Sequence, residues 1–320
     1  MQEQNRSSWE YFKTKERFAD LLNGYVYHGI QEIREEDITE LDPVIMRMGE
    51  RGRMVCGSVN IVDLMRKVRV NCRIVLVAVQ NQAESHYAMP VRVMNTDAAN
   101  YYNQWKELEK AHRKAGDLKN SAEFLSGMKE GEGLNPVFTM VVYTGHEPWK
   151  GAKTLKGLLN LSGLDEAMQS MIADYPINLL EVRSWPDLEW FHSDIREVFG
   201  FLKYAEDKSK LKNYIEENRK QFSALEEDAY RFITAMSSTK ELEALKPFIR
   251  TEGGKYNMCK AIEDMVQEGR QEGKQEGKQE QAMHTAYRMR EKGYSDAAIA
   301  ELLEVGGQVV QKWFAEANKV

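Results

Sequence analysis

The sequence predicts an α/β protein with a mixed central sheet flanked by helices and a helical C-terminal extension. Three observations carry that expectation. Arg73 to Val79 (RIVLVAV) and Val137 to Tyr143 (VFTMVVY) are short, continuous aliphatic runs, the mark of strands covered on both faces. Between them, Pro90 to about Ala115 is helical in pattern, with Tyr101, Trp105 and Leu108 marking one side. Strand, long helix, strand is a crossover unit, so the two strands should lie parallel and adjacent in the sheet interior.

The elements follow in chain order. A first helix is expected from about Trp9 to Tyr25, where Phe18, Leu21, Leu22 and Tyr25 recur at helical spacing. Arg53 to Asp63 (RMVCGSVNIVD) has the β-branched character of a strand, and Gln80-Asn81-Gln82 closes the strand that follows. Ile177 to Val182, after Pro176, is a third aliphatic run. From Pro186 the pattern turns helical, with Leu188, Phe191, Ile195, Phe199 and Leu202 on one helix and Tyr214 to Phe232 on another.

The repeat QEGRQEGKQEGKQE over 267–280 places glycines at 269, 273 and 277, each costing about 1 kcal/mol in a helix. Like charges also stack at i,i+4 spacing, which reads as a weak helix or a solvated linker. Two short helices, with Ser295 as a cap and Gly306-Gly307 as the turn, close the chain. They permit a helix-turn-helix and equally an oligomerisation hairpin. The expected organisation is a core over 1–185, a helical extension over 186–265, a charged linker over 266–282 and a helical hairpin over 283–320.

Composition narrows the function classes. At 320 residues, 42% hydrophobic and 29% charged, the chain is globular in profile and long enough for a sizeable core. No apolar run reaches the roughly 18 residues of a membrane span, and the N-terminus lacks an apolar leader core, so a cytoplasmic protein with no membrane partner is expected. Cys56, Cys72 and Cys259 are widely spaced, against a disulfide framework or structural zinc. The net charge of −6 gives no overall drive toward nucleic acid, so a DNA site must be a local basic patch. The six histidines show no metal-ligand spacing and are read as isolated polar residues. Tyr101, Tyr102 and Trp105 are read as core rather than as a base-stacking platform.

The most informative stretch is Ile74 to Met94, IVLVAVQNQAESHYAMPVRVM. A buried strand closes in Gln80-Asn81-Gln82, and Tyr87-Ala88-Met89-Pro90-Val91-Arg92 follows shortly after. Phe18-Ala19-Asp20, Ser121 to Gly127 (SAEFLSG), and Tyr143-Thr144-Gly145 followed by Trp149 stand in the same order along the chain. Over roughly residues 18–208 this pattern resembles the recombination-promoting nuclease / putative transposase family of the PD-(D/E)XK nuclease superfamily. The resemblance implies metal-dependent DNA cleavage connected with recombination or mobile elements, with Mg²⁺ or Mn²⁺ as cofactor and DNA as partner.

Phosphodiester hydrolysis of that kind needs a hard dication held by carboxylates. The resemblance implies an Asp on the earlier strand and a Glu on the later one, positions that here read Asn60 and Gln80. Gln82 stands where other superfamily members carry Lys. Amide oxygens bind Mg²⁺ far more weakly than carboxylates, so a degenerate metal site is expected. Glu16 and Asp20 on the first helix are candidate acids, with solvated surface positions as the plainer reading. Asp63 becomes the metal ligand if the register is shifted, and Arg92 is either a phosphate contact or a surface arginine. A non-catalytic DNA-binding or regulatory protein, and a scaffold self-associating through its C-terminal segment, are the alternatives.

Overall fold

The computed structural model describes residues 2–41, 64–71, 73–237 and 240–317, in two compact units, Met1–Cys259 and Lys260–Val320. The first unit opens with α1 (Gln2–Phe12) and α2 (Lys15–Tyr27), where a single helix was expected. The chain breaks because Thr14 takes an extended backbone and its hydroxyl accepts the Arg17 N–H, capping α2 afresh.

Among the described residues the sheet has five strands in sequential order: β1 (Ile38–Glu40), β2 (Leu64–Val70), β3 (Arg73–Gln82), β4 (Val137–Tyr143) and β5 (Asn178–Glu181). β1, β2 and β3 pair antiparallel, whereas β3, β4 and β5 pair parallel, which makes the sheet mixed. β3 and β4 are thus adjacent, parallel and interior, as the two aliphatic runs predict. α3 (Met89–Ala115) makes the crossover between them and α4 (Ser121–Ser126) leads into β4. The strand expected over 53–63 lies outside the described residues. β2, which follows it, was not anticipated, because Arg66, Lys67 and Arg69 interrupt its apolar pattern.

Each face of the sheet is covered. Met89 and Val93 of α3 form one core with Val141, Tyr143, Trp149 and Ile177. Two short helices, α5 (Leu155–Leu158) and α6 (Glu166–Met171), lie between β4 and β5. After β5 come α7 (Ile195–Tyr204), α8 (Lys208–Glu217), α9 (Arg219–Phe222), α10 (Glu227–Ser237) and α11 (Lys240–Leu245). Here Tyr11 stacks on Phe232 with ring centroids 4.7 Å apart, and Phe12 meets Phe199 edge-on. Buried Arg17 ties this layer together through Asp194 at 2.7 Å and Asp228 at 2.6 Å. Residues 186–259 therefore belong to the same compact unit as the sheet, rather than forming a separate extension, because their aromatic residues complete its second core.

The second unit holds most of α12 (Met258–Glu291), with α13 (Asp296–Leu302) and α14 (Gly307–Ala317). The glycine repeat is helical throughout. Its Gln, Glu, Lys and Arg residues are good helix formers, and helix on either side removes the cost of nucleation. Ala286 of α12 packs with Ile299, Val310 and Phe314 in a small core of its own. Ser295 caps α13 by accepting the Ala298 N–H. Among the described residues, no helix is long and apolar enough to cross a membrane.

Candidate functional site at the end of the central strand

The last turn of pleat in β3 sets the geometry. Gln80 pairs with Val141 and Gln82 with Tyr143 of β4. Side chains alternate along a strand, so Gln80 and Gln82 share one face and Asn81 takes the other. Gln80 is fully buried, and its Nε2 donates to the Thr96 hydroxyl of α3 at 3.1 Å. That hydroxyl donates its single proton to the Arg92 carbonyl at 3.0 Å, so toward Gln80 it acts only as an acceptor. The amide nitrogen must therefore face Thr96, and Gln80 Oε1 points away with no hydrogen-bond partner among the described residues. A buried acceptor left open in this way is costly and calls for an explanation. Gln82 is only half-buried, and its backbone carbonyl accepts the Thr144 N–H at 2.9 Å.

One residue along α3, Asp97 is also buried. It accepts from the Thr139 hydroxyl of β4 and from the Tyr175 hydroxyl at 2.5 Å. Burial raises its pKa, and the two hydroxyl bonds oppose the rise. The sequence reading did not single out Asp97. Its signal was a carboxylate at the core-facing spacing set by Met89 and Val93.

Asn60 and Asp63 lie outside the described residues. Asp20 is buried on α2, where its carboxylate accepts the His192 and Ser193 N–H groups, both at 2.8 Å, and the Ser193 hydroxyl at 2.6 Å. It thus fixes the turn ahead of α7. Glu16 sits exposed in the first turn of α2. Arg92 lies half-exposed in the first turn of α3, and its guanidinium makes no ion pair among the described residues. Tyr102 is exposed rather than core, with Lys106 lying over its ring and that of Trp105.

Beside Gln82, the C-terminal ends of β4 and β5 frame a cleft of about 250 Å³ lined by His146, Glu147, Glu181, Arg183, Lys203 and Glu206 among others. The ends of parallel strands are where ligand sites commonly form in open α/β sheets. Here most of the polar capacity is used internally. Arg183 donates to the carbonyls of Thr144, Leu202 and Met236, and His146 Nδ1 lies 2.9 Å from Glu206. Burial lowers the Arg183 pKa, with the Glu206 charge opposing. Gly145 is required at the cleft floor, since a Cβ there would stand 2.2 Å from Tyr143 Oη and 2.6 Å from the Ala83 carbonyl.

Among the described residues no group of three or more His, Cys, Asp and Glu could hold a metal ion. Gln80 Oε1 is an open oxygen but a neutral one, so the described residues do not by themselves fit a hard dication. No family model, curated protein or solved structure matches the chain.

Proposed function

We propose that the chain is a PD-(D/E)XK nuclease-like protein of the recombination-promoting, transposase-like type, acting on DNA with a degenerate metal site. The observation that carries the reading is the buried Gln80 Oε1, an oxygen with no hydrogen-bond partner among the described residues, at the end of the central strand. It supports a position built for a carboxylate that met a cation, now occupied by its neutral isostere. The order of elements supports the same reading: Gln80-Asn81-Gln82 closes β3, the Tyr87 to Arg92 motif runs into α3, and Tyr143-Thr144-Gly145 ends β4. Loss of charge at position 80 favours the non-catalytic form of the function, in which DNA is bound without being cut.

The test is a pair of measurements on the full chain. In a plasmid-nicking assay with Mg²⁺ or Mn²⁺ the unmodified protein should show little or no cleavage. Calorimetric titration with Mn²⁺ should detect binding to the double variant Asn60→Asp, Gln80→Glu and not to the parent. Robust cleavage by the parent, abolished by EDTA, would overturn the degenerate site. If Asp63→Asn then removed that cleavage, Asp63 would be the ligand. Equal metal binding before and after the double change would show that Asn60 and Gln80 are not the site.

A further inference from the structure

The last turns of α12, with α13 and α14, are three helices joined by two short links, residues 292–295 and 303–306. The second link holds Glu304 at φ 54°, and its length is that of the turn in a helix-turn-helix. Ala286, Ile299, Ala300, Val310 and Phe314 are buried together, and Leu303, Val305 and Trp313 pack against them. An oligomerisation hairpin would turn such residues outward. Among the described large apolar residues of α13 and α14, Leu302 and Val309 alone stay exposed, and single residues of that kind need no partner.

What α14 presents outward is polar. Gln308, Gln311 and Lys312 are exposed and stand at i, i+3 and i+4, so they share one face. No acid occurs among residues 307–315. Glutamine reads an adenine edge through a pair of hydrogen bonds, and lysine reads guanine. The start of α14 is bare as well. Neither Gly306 nor Gly307 has a positive φ that requires glycine. An added Cβ would meet nothing within 4 Å at Gly307, and only the Val309 side chain, at 3.9 Å, at Gly306. The fold gives no reason for glycine there, whereas close approach of an anionic partner to the first N–H groups of the helix does. Arg288, Arg290 and Lys292 supply local positive charge at the end of α12 and in the link that follows. All three are exposed and make no ion pair among the described residues, and Arg290 lies over the Phe314 ring of α14 at 4.2 Å.

We propose that α14 is a recognition helix that enters the major groove of duplex DNA, with Gln308 and Gln311 reading adenine edges. In such modules the second helix of the pair meets base edges with its N-terminal residues, and the link ahead of the pair, here bearing Lys292, meets the backbone. The major groove of duplex RNA is too narrow for side chains to read, which selects DNA. Asp296, Glu301 and Glu304 stand on α13 and its turn rather than on α14. They reduce the general attraction to phosphate and leave selection to the base edges. The proposal shares its partner, DNA, with the reading above but not its site. Metal binding and cleavage concern residues 60–80, so the two fail separately.

Duplexes that the full chain retains from a randomised DNA pool should share a short motif containing A·T pairs. The variant Gln308→Ala, Gln311→Ala should bind the enriched duplex at least about tenfold more weakly, while binding a scrambled duplex as the parent does. Its helical content and melting temperature should be unchanged, because both side chains are exposed. Lys292→Ala should instead weaken both duplexes alike and make binding less dependent on salt. No shared motif, an equal loss on both duplexes in the glutamine variant, or no loss at all would each overturn the proposal. A DNA preference left intact while sedimentation shows lost self-association would overturn it in favour of a second copy of the chain.

Discussion

Gln80 of β3 and Thr96 of α3 are joined by one hydrogen bond of 3.1 Å whose direction is set by a third group, the Arg92 carbonyl. The relationship couples the sheet to the crossover helix at the point where the candidate site begins. It also predicts a specific sensitivity. Thr96→Val keeps the shape but removes the acceptor, leaving the Gln80 side-chain amide with no partner at either end among the described residues. A loss of about 1–3 kcal/mol is expected from urea unfolding, while Thr96→Ser should be nearly neutral. Equal effects of the two substitutions would show that packing, not the hydroxyl, matters there.

Asp97 gives a prediction about pH. Burial raises its pKa in the folded state, so the folded protein binds that proton more tightly than the unfolded chain. The stability it contributes is present below the unfolded value of about 3.9 and is lost as pH rises through the higher folded value. Compared with Asp97→Asn, the parent should therefore gain stability as pH falls from 7 toward 4. A stability difference independent of pH would contradict the assignment.

His112 should behave with the same sign for a different reason. It lies in the last turn of α3, with Nε2 3.0 Å from Glu132 and Nδ1 2.9 Å from Asp117. Its hydrogen bonds to Glu132 and then Asp117 raise its pKa. The clasp it makes on residues 117–132 is then fully formed below the unfolded value of about 6.5 and loosens as pH rises through the folded value. Hydrogen exchange of the 117–132 amides, corrected for intrinsic rates, should quicken across that rise in the parent. Its pH dependence should vanish in His112→Gln.

The repeat in α12 offers a stabilisation test. Around Gly269, Gly273 and Gly277 an added Cβ meets nothing within 4 Å, so alanine fits without strain. Replacing all three should raise helical content, at about 1 kcal/mol of helix propensity per site, read by circular dichroism through a thermal melt. A lower melting temperature would mean that the glycines accommodate a close neighbour.

The parallel pair β3 and β4 was legible because continuous Val and Leu runs have few other uses, and α3 because its length and Pro90 suit a crossover helix. β2 escaped because Arg66 is buried there, its guanidinium donating to the Met65 and Lys13 carbonyls. A buried cation held by backbone oxygens has no local sequence mark. The same reason hid the work of Asp20, whose partners stand on a turn more than 170 residues away. Motif spacing singled out Gln80 and Gln82, which stand at the end of β3. The arrangement around Arg183 and His146 could not be read, since its members come from four separate stretches of chain.

Thr96 also bears on which side chains position 80 accepts. A hydroxyl rotates freely about its C–O bond, so it can accept from an amide or turn and donate to a carboxylate without any heavy atom moving. Glutamine and glutamate codons differ at a single base. The amide and carboxylate forms of this position are therefore one mutational step apart, and the Thr96 hydroxyl can bond to either.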